Sequence, residues 1–213
     1  MNSDTIRSAL AMFVSRDRTR SGLRRPFFKD NIGYATDARC AIRILKAEAF
    51  DESKNDANFL IEKLEDIFFT TEDTAREVSV PVSDIYSAAF MAIANCHEYT
   101  PFDAGDELLS CDEFYVDAKA LVKIDGYIFD AVFVKKAIDA LRFCSNCFSS
   151  ISVKMTWAKD KYSGTLLAIS AGDVCIIIMG CRPSQYGGER FLFAHSMVDA
   201  SGDWCQKITE DIR

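Results

Sequence analysis

Lys119-Ala-Leu-Val-Lys-Ile-Asp-Gly-Tyr-Ile-Phe-Asp-Ala-Val-Phe-Val-Lys-Lys-Ala-Ile-Asp-Ala-Leu141 is the stretch on which the fold turns. Two short runs, 119–124 and 127–129, flank Asp125-Gly126. Asp-Gly between such runs marks a type I′ hairpin, because both central residues must tolerate positive φ. The period then changes. Ala131, Val134, Ile138 and Leu141 recur at helical spacing, which predicts a helix over 130–143 with that stripe laid on a sheet. Lys135, Lys136, Asp139 and Arg142 fall on the solvent side of the same helix. Further strands are predicted at 151–157, 166–170 and 174–179, the last being Val174-Cys-Ile-Ile-Ile-Met179, with turns at 159–164 and 171–173.

A shorter version of this phrase opens the chain. Ile6, Leu10, Phe13 and Val14 form one stripe of a helix predicted over 4–14, and Arg7 and Arg18 share a face if that helix continues far enough. Gly22 is a helix stop within a polar connection, 16–25. Strands are predicted at 26–29, 32–36 and 39–45, with turns at Asp30-Asn31 and Asp37-Ala38. The middle differs. Phe59, Leu60, Leu64, Ile67 and Phe68 predict a helix over 57–69 that leaves Glu62, Lys63, Glu65 and Asp66 opposite. Pro81 resets the chain, and Ser83 is placed as N-cap of a helix over 85–94. Residues 95–112 read as a loop or insertion, and Phe191-Leu-Phe193 supplies one more strand.

The expected fold is therefore α+β and a single domain over 1–213. A first half-repeat, 1–50, is followed by a helical insertion and loop, 51–112, a second half-repeat, 113–182, and a C-terminal extension, 183–213. The two helix-plus-antiparallel-hairpin units build one sheet with their helices on one face.

Composition bounds the function. A chain of 213 residues with 49% hydrophobic and 27% charged residues has ordinary globular usage, which excludes disordered and fibrous classes. The apolar run 174–179 is far too short to span a bilayer, and the first 30 residues lack the basic end and apolar core of a secretory signal. Eight irregularly spaced cysteines fit free thiols in a reducing compartment, so a cytoplasmic protein without membrane attachment is expected. The net charge of −7 opposes uniform affinity for nucleic acid. Its distribution matters more: residues 1–30 hold six Arg (7, 16, 18, 20, 24, 25) and Lys29 against Asp4, Asp17 and Asp30, a local balance of +4.

Signals for catalysis and metal binding are weak. Cys144-Ser-Asn-Cys147 is a Cys-x-x-Cys pair that Cys96, His97 and Cys111 could complete as a zinc site, but no second Cys-x-x-Cys exists. Cys40, Cys175 and Cys181 sit in strand contexts as small apolar residues. The pair 144/147 follows a helix C-terminus, the wrong end for thiol activation. Only His97 and His195 could serve a nucleophile, no Gly-x-Ser-x-Gly turn is present, and Gly187-Gly188 lacks the Lys-Ser/Thr of a phosphate loop. Asp37, Asp125 and Asp173 occupy turns, where Asp is favoured locally. The expectation is a non-enzyme with no cofactor.

Three phrases carry a family resemblance: Ile32-Gly-Tyr-Ala-Thr-Asp37 with Arg39, Tyr127-Ile-Phe-Asp-Ala131 leading into Val134-Lys-Lys-Ala-Ile-Asp-Ala-Leu141, and the closing Leu166-Leu-Ala-Ile-Ser-Ala-Gly-Asp-Val-Cys-Ile-Ile-Ile-Met179. Together they resemble the domain of DNA sliding clamps, the fold of bacterial β clamps and the proliferating-cell nuclear antigen. They are also similar to single-domain clamp-related proteins of bacteria and mobile elements, some of which hold zinc in an insertion. The resemblance covers roughly 1–50 and 113–182 and leaves the middle unexplained. It implies helices whose basic residues meet the DNA backbone without reading bases. Carried over by position, Arg7, Arg16, Arg18, Arg20, Lys135, Lys136 and Arg142 are the DNA-binding residues. Duplex DNA, a replication protein and further copies of the chain are the implied partners. A binding module that kept the scaffold and lost DNA is the alternative, with the 84–105 segment as its surface.

Overall fold

The computed structural model describes residues 2–47, 58–96, 120–145, 150–156, 164–181 and 196–201. Helix α1, Ser3–Ala11, starts where the Asn2 side chain accepts a hydrogen bond from the Thr5 amide, the usual way of satisfying an orphan helix donor. It ends earlier than its apolar stripe suggests, so Arg18 lies in the following loop and shares no helix face with Arg7. Three antiparallel strands follow: β1, Phe27–Lys29, β2, Ile32–Thr36, and β3, Cys40–Ile44. Asp30 and Asn31 turn the first hairpin with φ of 51° and 60°, as a two-residue primed turn requires.

The second meander has the same order. Strands β5, Ala120–Ile124, and β6, Tyr127–Asp130, form the predicted hairpin, with φ of 46° at Asp125 and 85° at Gly126. Helix α4, Ala131–Ser145, then leads into β7, Ser152–Thr156, β8, Leu166–Ala171, and β9, Val174–Met179. The main sheet runs β1-β2-β3-β9-β8-β7, and a two-residue strand β4, Arg76–Glu77, closes the far edge. The two meanders thus meet at one antiparallel seam, Cys40↔Ile178 through Ile42↔Ile176 to Ile44↔Val174. Backbone bonds extend the seam at both ends, Met179 N to Arg39 O at 2.9 Å and Leu45 N to Asp173 O at 2.8 Å.

Strand alternation assigns the seam residues to two faces. Cys40, Ile42, Ile44, Val174, Ile176 and Ile178 point into the larger core with Ile6, Leu10 and Phe13 of the α1 segment and Val134, Ile138 and Leu141 of α4. Leu10 comes close to β2 because residue 33 is Gly: a Cβ there would stand 3.0 Å from Leu10 Cδ1. Ala41, Cys175 and Ile177 point the other way, onto helix α2, Asn58–Thr74, through Ile61, Leu64 and Phe68. Here the fold departs from expectation: the main sheet is covered on both faces, α1 and α4 on one and α2 on the other. That is why β9 is apolar almost throughout.

Other differences are local. The buried face of α2 is Ile61, Leu64, Phe68 and Thr71, while Phe59 and Ile67, expected inside, are exposed. Helix α3, Val82–Cys96, begins before Ser83, so Ser83 is not its N-cap; the amides of Asp84 and Ile85 bond the Pro81 carbonyl instead. Strands β5 and β6 leave the main sheet and form a second one with β10, Ser196–Asp199, which pairs parallel to β5. Helix α3 packs on α4, β5 and β10, and the small sheet shares the larger core. The strand expected at 191–193 lies outside the described residues, as do the turn at 159–163 and the loop at 97–112.

Phe68 is fully buried, with its ring 6.3 Å from that of Tyr34 and the Arg43 guanidinium 5.0 Å from its centroid. Phe68→Ala is expected to cost about 3–5 kcal/mol, and Phe59→Ala less than about 0.5 kcal/mol. Urea unfolding of both variants checks this, and equal losses would contradict the facing of α2.

Candidate nucleic-acid interface

Helices α1 and α4 lie in contact on one sheet face, so the geometry tests whether their basic residues form one lining. They divide into three groups. Lys135 and Arg142 occupy the α3–α4 seam: both cations sit over the ring of Tyr86, at 5.6 and 5.5 Å from its centroid. Asp139, one turn after Lys135, receives the Lys135 ammonium on one carboxylate oxygen and the Tyr86 hydroxyl on the other, at 2.9 Å. The hydrogen bond to Asp139 raises the Lys135 pKa above its ordinary value. Arg142 is exposed.

Lys136 points elsewhere. Its ammonium is 3.6 Å from the Asp37 carboxylate and 3.7 Å from Cys40 Sγ, and it caps the rings of Phe13 at 4.6 Å and Phe133 at 5.1 Å. Its side chain is only 21% exposed. This corrects the expectation that Lys136 lies on the solvent side of α4. The turn it anchors is densely bonded: the Asp37 carboxylate accepts from the amides of Arg39 and Cys40, and the Thr36 hydroxyl donates to the Cys40 carbonyl at 2.9 Å. Arg20 adds a guanidinium bond to the Asp37 carbonyl at 2.9 Å, and its Nε pairs with Asp17 at 3.6 Å.

The third group is Arg7, Arg16 and Arg18, all exposed, the first on α1 and the other two in the loop after it. Arg24 and Arg25, counted in the N-terminal charge but given no role from sequence, are exposed in the same loop. The signal that could have found them was the density of Arg over 16–25, from which the assignment by position took Arg16, Arg18 and Arg20 and stopped short of these two.

The buried thiols are held in the neutral form. Burial pushes the Cys175 and Cys181 thiols up to about 11, and burial followed by the Asp37 charge raises Cys40 further. Raised values suppress the thiolate that a nucleophile or metal ligand needs. Among the described residues no group of His, Cys, Asp or Glu is arranged to hold a metal. His97, His195, Cys111 and Cys147 lie outside the described residues. No helix among the described residues is long and apolar enough to cross a membrane.

Asp130 caps α4, accepting the Val132 amide at 2.9 Å, and burial raises its pKa despite that bond. The chain matches no family model, no curated protein and no solved structure.

Two measurements follow from this geometry. Lys136→Ala is expected to lower stability by about 1–3 kcal/mol, because it strips a half-buried carboxylate of its charged donor, whereas Arg18→Ala changes it by less than about 0.5 kcal/mol. Denaturant titration distinguishes an anchor from a free surface cation. For Asp130, a folded-state pKa above the unfolded one means that ionisation costs stability. Stability therefore falls as pH rises from the ordinary carboxylate range through the raised folded value. Asp130→Asn keeps an acceptor for the cap and is expected to remove that slope, while Asp130→Ala also removes it and stays about 1 kcal/mol below Asp130→Asn at every pH. Unfolding of the three proteins across the acid range reads both effects.

Proposed function

We propose that the protein is a non-enzymatic, clamp-like scaffold acting in DNA transactions, with duplex DNA as its principal ligand. The observation that carries this reading is the seam. A helix followed by a three-strand meander occurs twice, and the β3–β9 pairing relates β1-β2-β3 to β7-β8-β9 in mirrored order with α1 and α4 side by side. That order supports a pseudo-duplicated platform with paired helices, as the family resemblance implies.

Complete clamps close a ring of six such domains from two or three per subunit. Encircling DNA takes several such units, so self-association belongs to this reading. Contact with DNA is by phosphate and not by base, as the exposed Arg side chains favour.

A second reading has its own observation. The outward face of α3, made by Ser83, Ser87, Phe90, Met91 and Ala94, carries no charge, and Phe90 is 54% exposed. Phe143 of α4 is exposed to the same degree. Such a face suits a protein partner on a scaffold that no longer binds DNA.

Titration of a labelled duplex at two salt concentrations, with light scattering on the same sample, separates the readings. The first predicts duplex binding that weakens with salt, with further weakening in Lys135→Gln plus Arg142→Gln, which removes positive charge without setting a carboxylate against Asp139. Lys136 is left intact because it is the more buried anchor, paired with Asp37. A monomer with no duplex affinity at low salt would reject the first reading and leave the second.

A further inference from the structure

The loop joining α1 to β1 is more ordered than its composition suggests. The Ser15 amide bonds the Leu23 carbonyl at 2.8 Å, and the Asp17 amide bonds the Ser15 hydroxyl at 3.2 Å. Thr19 donates both its amide and its hydroxyl to Asp17 Oδ1, at 2.8 and 2.7 Å. A 3-10 turn, Ser21–Leu23, closes the far side, with the Arg24 amide on the Ser21 carbonyl. Leu23 packs against the smaller core and Gly22 lies beside Leu60 of α2. Arg20 ties the loop to the β2–β3 turn.

These contacts engage the backbone, small side chains, Leu23 and Arg20. Arg16, Arg18, Arg24 and Arg25 are left exposed, and none has an ion pair among the described residues. The loop's one acid, Asp17, is already committed to Thr19 and Arg20. Four exposed guanidinium groups without an ion pair among the described residues therefore lie on one fixed loop, 16–25, in a protein of net charge −7. Such a local excess of positive charge attracts a polyanion.

We propose that this loop is a phosphate-backbone contact for nucleic acid, made by Arg16, Arg18, Arg24 and Arg25. The proposal rests on the reading of the protein as a DNA-associated scaffold, and it moves the main contact from the helix face to the loop. Arginine matches phosphate oxygens with two parallel N–H donors, which a point-charge ammonium does not. A loop already held in place spends little ordering entropy on binding. The helix cations, by contrast, are partly used: Lys135 by Asp139 and Lys136 by Asp37.

The test is fluorescence anisotropy of the full chain with a labelled mixed-sequence duplex over a salt series. The variants are Arg16→Gln plus Arg18→Gln, Arg24→Gln plus Arg25→Gln, and Lys135→Gln plus Arg142→Gln, each checked by circular dichroism. Each phosphate contact contributes about 0.9 to the slope of log K on log salt. Each loop pair is expected to lower that slope by about 1.8 and affinity by about tenfold or more at low salt, with a smaller effect from the helix pair. Unchanged slopes in both loop variants, with binding lost in the helix variant, would overturn the loop assignment while leaving the DNA reading intact. Absence of wild-type binding to duplex would overturn both. Binding to anionic lipid vesicles and not to duplex, or full displacement of duplex by inorganic phosphate at constant ionic strength, would also overturn it.

Discussion

The antiparallel ladder between β3 and β9 is the constraint on which the rest of the structure depends. It joins two segments far apart in the chain, so its closure carries a large entropy cost that local contacts cannot repay. The apolar residues on both of its faces offset that cost. Ile42 and Ile176 pair toward α1 and α4, while Ala41 and Ile177 pair toward α2, and all four are buried. Once the ladder is formed, α1 and α4 must lie side by side, because each precedes one of the meanders it joins.

Packing then decides what the charged residues can do. A cation beside the α1–α4 contact is drawn into it: Lys136 covers Phe13 and Phe133 and pairs with Asp37, so it stabilises the join between α1, α4 and the β2–β3 turn. At the α3–α4 seam Tyr86 organises Lys135, Asp139 and Arg142 in the same manner. In the polar loop after α1, Arg16, Arg18, Arg24 and Arg25 have no ion pair among the described residues. Lys135 and Lys136 are thus engaged by carboxylates of the fold, while Arg16, Arg18, Arg24 and Arg25 are exposed.

How much of this was legible in the sequence varied with the range of the interaction concerned. Asp30-Asn31 and Asp125-Gly126 announced their hairpins because positive φ is a local demand, and the structure meets it at both. The α4 stripe was legible because Ala131, Val134, Ile138 and Leu141 share one face whatever they meet. The orientation of α2 was not. Phe59 and Ile61 are both apolar, and only docking on Ala41 and Ile177 decides that Ile61 is inside. Strand β4, Arg76–Glu77, is exposed and too short to carry a pattern, and β10 exists through its parallel pairing with β5. For Lys136, helical spacing alone could not foresee that Phe13 and Asp37, from distant segments, would surround its ammonium.

Amide hydrogen exchange followed strand by strand tests the central claim most directly, that the two meanders form one cooperative platform through their seam. The account predicts that β3 and β9 amides are among the slowest to exchange and lose protection in the same step. Release of β1–β3 in a separate, earlier opening while β7–β9 remain protected would contradict it.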